Sequence, residues 1–119
     1  MSDQSDQLIL VQITAPSEEA AEGLAQQLLN ERLAACVNIL SGVSSLYWWE
    51  GQIQSDSEVL LLIKTRRQGF RERFIPFVKQ HHPYQVPEIL ALPILDGNAD
   101  YLQWVLRETT PKSNHFLED

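Results

Sequence analysis

Cysteine is almost missing from this chain: Cys36 stands alone among 119 residues. One thiol cannot close an internal disulfide or build a CxxC metal or redox motif, and it suits a reducing compartment. Long apolar runs are also missing. None approaches the roughly 18 residues that a membrane helix needs, so no membrane partner is expected. The opening "MSDQSDQ" has no basic n-region and no apolar core, which makes a cytoplasmic location the default expectation. Basic charge is scarce: nine Lys and Arg stand against sixteen Asp and Glu, a net charge of −7. That field repels a phosphate backbone and argues against nucleic acid as a partner. No nucleophile elbow, phosphate loop or HExxH helix occurs. Asp56, Glu58 and Glu88 are carboxylates without a visible acid/base partnership, and no enzymatic activity is expected.

What is present reads as one globular domain over residues 8–107, between a polar leader (1–7) and a tail without periodicity (108–119). "LILVQIT" is a short apolar run with the look of a buried strand. Ser17 is a good N-cap, Glu18 and Glu19 suit a helix start, and Ala21, Leu24, Ala25 and Leu28 recur at helical spacing. Residues 36–50 are strand-like, "EGQ" reads as a hairpin turn, and the return strand runs to Thr65. A second helical pattern carries Phe70, Phe74, Phe77 and Val78 and ends at "HHP". Pro76 lies inside it and is expected to kink or break it. Residues 86–95 give a fourth strand, and "DGNADYLQWVLRE" a turn and a last short helix.

This order predicts an α+β chain of the ferredoxin-like split βαβ kind with an added C-terminal helix. Both main helices of that fold cover one face of the sheet. Yet "LILV", "VLLLI" and "ILALPIL" are apolar at odd and even positions alike, as in strands buried on both faces. Another subunit is therefore expected on the second face. Length points the same way. About fifteen residues of strand before Glu50 would span ~50 Å, against a domain only ~35 Å across. The hairpin must bend or project, and Tyr47, Trp48 and Trp49 at its tip call for a covering partner.

The stretches "ERLAACVNI", "SLYWWEG", "IKT", "HHPYQVPEIL" and "DYLQWV" closely resemble the divalent-cation tolerance (CutA) family, in the family's order and over roughly residues 8–107. The resemblance implies a ferredoxin-like subunit in a homotrimer, with long hairpins reaching neighbours, and a link to metal response. It also implies a likeness to the PII signalling trimers, which take small molecules in clefts between subunits. It brings no established catalytic activity.

His81 and His82 are the metal candidates, since imidazole is a strong ligand for copper and zinc. Consecutive helical residues diverge by about 100°, so the pair converges only if Pro83 breaks the helix there. Read plainly, they are helix-end histidines satisfying loose carbonyls. In copper-binding relatives a cysteine just before "TAP" is associated with the metal. Here that place is Ile13, so any copper or other divalent-cation site rests on imidazole and oxygen. Cys36 reads as a buried, inert thiol. Lys64, Tyr84 and Glu88 form a second constellation: either a structural Lys–Glu pair at a subunit seam, or an intersubunit cleft that Trp49 and Glu50 of a neighbour would line. A third reading is a stable structural trimer acting through an unidentified partner protein.

Overall fold

The structure, a computed structural model, describes residues 7–110. The leader up to residue 6 and the tail from residue 111 lie outside the described residues. Eight residues of apolar run make β1 (Leu8–Ala15). Helix α1 (Glu18–Asn30) begins where Ser17 Oγ accepts the Ala20 N–H at 3.1 Å. It ends in a Schellman-type turn: Leu33 N–H reaches Leu28 O, Arg32 N–H reaches Leu29 O, and Arg32 takes a positive φ of 59°. Strands β2 (Cys36–Trp49) and β3 (Gln52–Arg66) follow, then α2 (Ile75–His81), β4 (Ile89–Pro93) and α3 (Ala99–Glu108).

The sheet order is β2-β3-β1-β4, antiparallel throughout. That is the ferredoxin-like arrangement expected from the element order. Odd-numbered residues of β1 and β3 point to one face, where Val11, Ile13, Leu61 and Ile63 are fully buried with Ala21, Leu28, Phe74 and Val78. Ile13 is therefore a core side chain.

The helix around Pro76 is resolved in a specific way. Phe70–Phe74 forms a π-helical turn, and the Ile75 N–H closes it on Phe70 O. Pro76 then stands in the first turn of α2, where a residue without an N–H costs no helical hydrogen bond. The expected break is a change of helix type.

Two further elements differ from the sequence reading. Strand β4 is five residues rather than ten. Pro87 and Pro93 lack ladder donors, and the segment before Ile89 is held by other contacts. The second sheet face is not wholly open, because α3 lies against one end of it. Arg66 of that face donates to Leu106 O at 2.5 Å and to Thr109 Oγ1 at 3.1 Å. Leu40, Leu90 and Leu92 on the same face stay about half exposed.

The hairpin projects. β1 reaches β3 only as far as Val59, so residues 43–58 pair solely with each other, and the molecule measures 50 × 34 × 24 Å. Its tip turns on Glu50 and Gly51, both at positive φ (51° and 79°), the pattern of a type I′ turn. The arm carries an exposed apolar row in Leu46, Trp48 and Ile53. A bulge between Leu40 and Val43, with Gly42 at φ 78°, inserts one extra residue into β2. Side-chain parity reverses there. Beyond it Ser45, Tyr47 and Trp49 share the open face with Glu58 and Asp56, whereas Cys36, Asn38 and Leu40 do so before it.

Candidate functional site

The bulge and the loop after α2 together shape a cleft at the root of the arm. Its volume is about 700 Å³, and Tyr47, Trp49, Glu58, Tyr84 and Glu88 are among its walls, with Thr14 at its floor. Each polar group is held from a different element. Tyr84 Oη donates to Glu58 Oε2 across 2.8 Å, tying the loop to β3. Glu88 Oε2 accepts from Gln12 Nε2 of β1 at 2.8 Å. Tyr47 Oη donates to Asp56 across the hairpin. Burial and the bond to Glu58 push the Tyr84 phenol well above the ordinary tyrosine range. The bond to Asp56 pushes Tyr47 up as well. Both phenols thus stay protonated donors.

His82 anchors this loop. It is buried, with Nε2 at 2.8 Å from Thr14 O and Nδ1 at 3.0 Å from the Tyr84 N–H. A backbone N–H can only donate, so Nδ1 is the acceptor and Nε2 carries the hydrogen given to Thr14. The ring is neutral and both nitrogens are engaged. His81 differs. Its Nδ1 lies 2.8 Å from Phe77 O, one turn back, and its ring lies over Phe77 with centroids 4.2 Å apart. Nδ1–H is donated to that carbonyl, so Nε2 of the exposed ring is the nitrogen left for another partner. The two imidazoles are therefore not a converging pair, and one nitrogen remains to meet an ion. Among the described residues no group of three or more His, Cys, Asp or Glu could hold a metal.

The structure brings Tyr47, Trp49, Tyr84 and Glu88 into one cleft within a single chain. It separates Lys64 from them. Lys64 pairs with Leu10 toward the opposite end of β1, and its Nζ is hydrogen-bonded to Asn38 and 3.7 Å from Cys36 Sγ. The pairing of Lys64 with Glu88 is replaced by Glu88–Gln12 and Tyr84–Glu58. The loop into β4 meets β3 at Glu58, not at Lys64. Glu50 sits in the tip turn and does not line the cleft. Trp48 points to the other face of the arm, 72% exposed. Cys36 is half-buried rather than buried. Glu58, only 7% exposed, is the residue that sequence reasoning undervalued. Its signal was a lone acid heading the apolar run "EVLLLI".

A ferredoxin-like chain with a projecting two-stranded arm and a cleft at the arm's root defines a class, the small α+β proteins with a four-stranded antiparallel sheet and a long β-hairpin. The profile of the family described as CutA1 divalent ion tolerance protein matches residues 9–108. This chain belongs to that CutA1 family. It is 50% identical over 97 residues to the divalent-cation tolerance protein CutA of Yersinia pestis, covering 82% of this chain and 81% of that one. It is 48% identical over 101 residues to the chloroplastic protein CutA 1 of Oryza sativa, covering 85% of this chain but spanning only 56% of the rice protein. The solved divalent cation tolerance protein of Thermus thermophilus superposes with a TM-score of 0.82 at 50% identity, covering 87% of this chain and 99% of that one. No helix among the described residues is long and apolar enough to cross a membrane.

Proposed function

We propose that this protein is a non-enzymatic, cytoplasmic homotrimer of the divalent-cation tolerance type, whose response to metal includes binding of copper or another divalent cation through His81. The observation that carries the metal reading is the exposed His81 ring, which uses Nδ1 on Phe77 O and leaves Nε2 as the nitrogen for a ligand. Imidazole in that state is a ready ligand for copper or zinc. One nitrogen does not make a chelate, so further donors come from water, oxygen groups or neighbouring subunits. Ile13 in the core supplies none, which lowers preference for soft copper(I). The trimer is supported by the half-exposed Leu40, Leu90 and Leu92 and by the arm with Tyr47, Trp48 and Trp49. A binding role, rather than turnover, is supported by carboxylates already engaged by neutral donors. The cytoplasmic location is supported by the lone Cys36.

A calorimetric copper(II) titration in a weakly chelating buffer tests the metal reading. Saturable uptake that is lost in His81→Ala and kept in His82→Ala is the expected result. Non-saturating uptake, equal in all three proteins, would remove His81 as a ligand.

The cleft favours a second reading, a PII-like signalling or scaffold trimer that takes a small molecule. Three of the residues expected to line a cleft, Trp49, Tyr84 and Glu88, are among the walls of this one, and about 700 Å³ is the size of a small-ligand pocket. Under the third reading, the exposed arm serves a partner protein.

A further inference from the structure

On the helical side of the sheet a second hollow, of about 310 Å³, lies between the end of α1 and α2. Leu33, Pro76 and Phe77 give it an apolar floor, and the exposed Glu31 and Arg73 put one charge of each sign on its rim. Leu33 is buried and Phe77 packs on the core, so the fold itself fixes the floor. These residues belong to α2 and to the turn that ends α1, not to the open sheet face or the arm. The volume stands at the bottom of the range for small-molecule pockets and suits a pair of apolar side chains. The chain leads a segment to this place. Arg32, which stands between the lining residues Glu31 and Leu33, donates from Nη1 to Glu108 Oε1 at 2.6 Å. That ion pair fastens the last turn of α3 beside the hollow. Beyond Thr110 the sequence reads "PKSNHFLED", with Phe116 and Leu117 adjacent, Lys112 before them and Glu118 after.

We infer that the segment around Phe116 and Leu117 docks in this hollow of its own chain, the two apolar side chains lying against Leu33, Pro76 and Phe77. Lys112 and Glu118 then meet the opposite charges of Glu31 and Arg73. Reach is sufficient: the residues from Thr110 to Phe116 extend up to ~20 Å, whereas α2 from Arg73 to Gln80 is only ~10 Å long. Burial of two large apolar side chains drives the docking. Closing the loop costs little, because the segment starts beside its seat. The charged pairs stand in water and set the direction of the segment more than its strength. The docked residues lie past residue 108, outside the region that the family profile matches. Neither His81 nor the cleft at the root of the arm takes part.

The test is disulfide trapping on the full 119-residue chain in its native assembly. In a Cys36→Ser background, Gln80→Cys with His115→Cys puts one thiol at the hollow and one beside Phe116. The control pairs His115→Cys with Glu19→Cys, at the far end of α1. A disulfide needs Cα atoms within about 7 Å. Mild oxidation should therefore cross-link the Gln80 pair, within one chain, at least about tenfold faster than the control. Adding Phe116→Asp should bring the Gln80 pair down to the control rate, since a carboxylate resists burial on an apolar floor. Thermal melting of each variant checks that it is folded. Equal rates for the two pairs, or no effect of Phe116→Asp, overturn the inference. A cross-link formed only between chains also overturns it, because the segment then seats on a neighbouring copy. Hydrogen exchange on the natural chain, beside one ending at Thr110, reads the docking without any new thiol. Faster exchange of the α2 amides in the shortened chain is the expected result, and equal exchange would overturn the inference.

Discussion

The two adjacent histidines differ because their ring nitrogens meet different groups. His82 bridges Thr14 O and the Tyr84 N–H from a buried position, so it is a structural post for the cleft loop. Replacing it with alanine strands a buried carbonyl and an N–H and opens a cavity. His82→Ala should lose about 2–4 kcal/mol of stability in denaturant unfolding, while His81→Ala, on the surface, should stay within about 0.5 kcal/mol. Tyr84 carries a pH signature. Its folded pKa is raised by burial and by Glu58, so the folded state holds the phenolic proton more tightly than the unfolded chain. That stabilisation is fully present below the unfolded value near 10 and is lost as pH rises toward the higher folded value. Unfolding measured between pH 8 and 11 should show stability falling above about pH 10. Tyr84→Phe should be less stable at neutral pH but show a shallower alkaline fall. An unchanged slope would mean that the phenol is not held as described.

At the scale of elements, glycine position separates what the chain tolerates from what it requires. Gly23 lies in the interior of α1 with open space around its Cα, whereas Gly42 supports the β2 bulge at φ 78°. Gly23→Ala is expected to stabilise the protein by about 0.4–1 kcal/mol. Gly42→Ala is expected to destabilise it by roughly 1 kcal/mol or more. Thermal unfolding of both variants checks the opposite signs. The bulge also explains how much of the site could be read in advance. β1, α1 and the hairpin were legible because apolar runs, Ser17 and "EGQ" are local signals. Membership of the cleft was less so. It depends on the parity change at Gly42 and on the β1–β3 register, which puts Glu58 beside Thr14 and moves Lys64 to the far end. No local pattern carries a register. β4 was read too long because its apolar run continues through prolines that cannot donate to a ladder.

At the scale of the whole molecule, the single chain keeps apolar surface in contact with water. Its sheet face is closed by α3 at one end and open over Leu40, Leu90 and Leu92 elsewhere, and its arm leaves Leu46, Trp48 and Ile53 uncovered at 70%, 72% and 63% exposure. At about 25 cal/mol per Å² of apolar surface, so much uncovered area favours association strongly. Under the proposed homotrimer, symmetry-related copies would cover such surface. Sedimentation equilibrium on the purified protein at micromolar concentration tests this most directly. The account predicts one species with three times the 13.6 kDa chain mass, insensitive to dilution. A single species of one chain mass would contradict it, and the exposed face and arm would then need another partner.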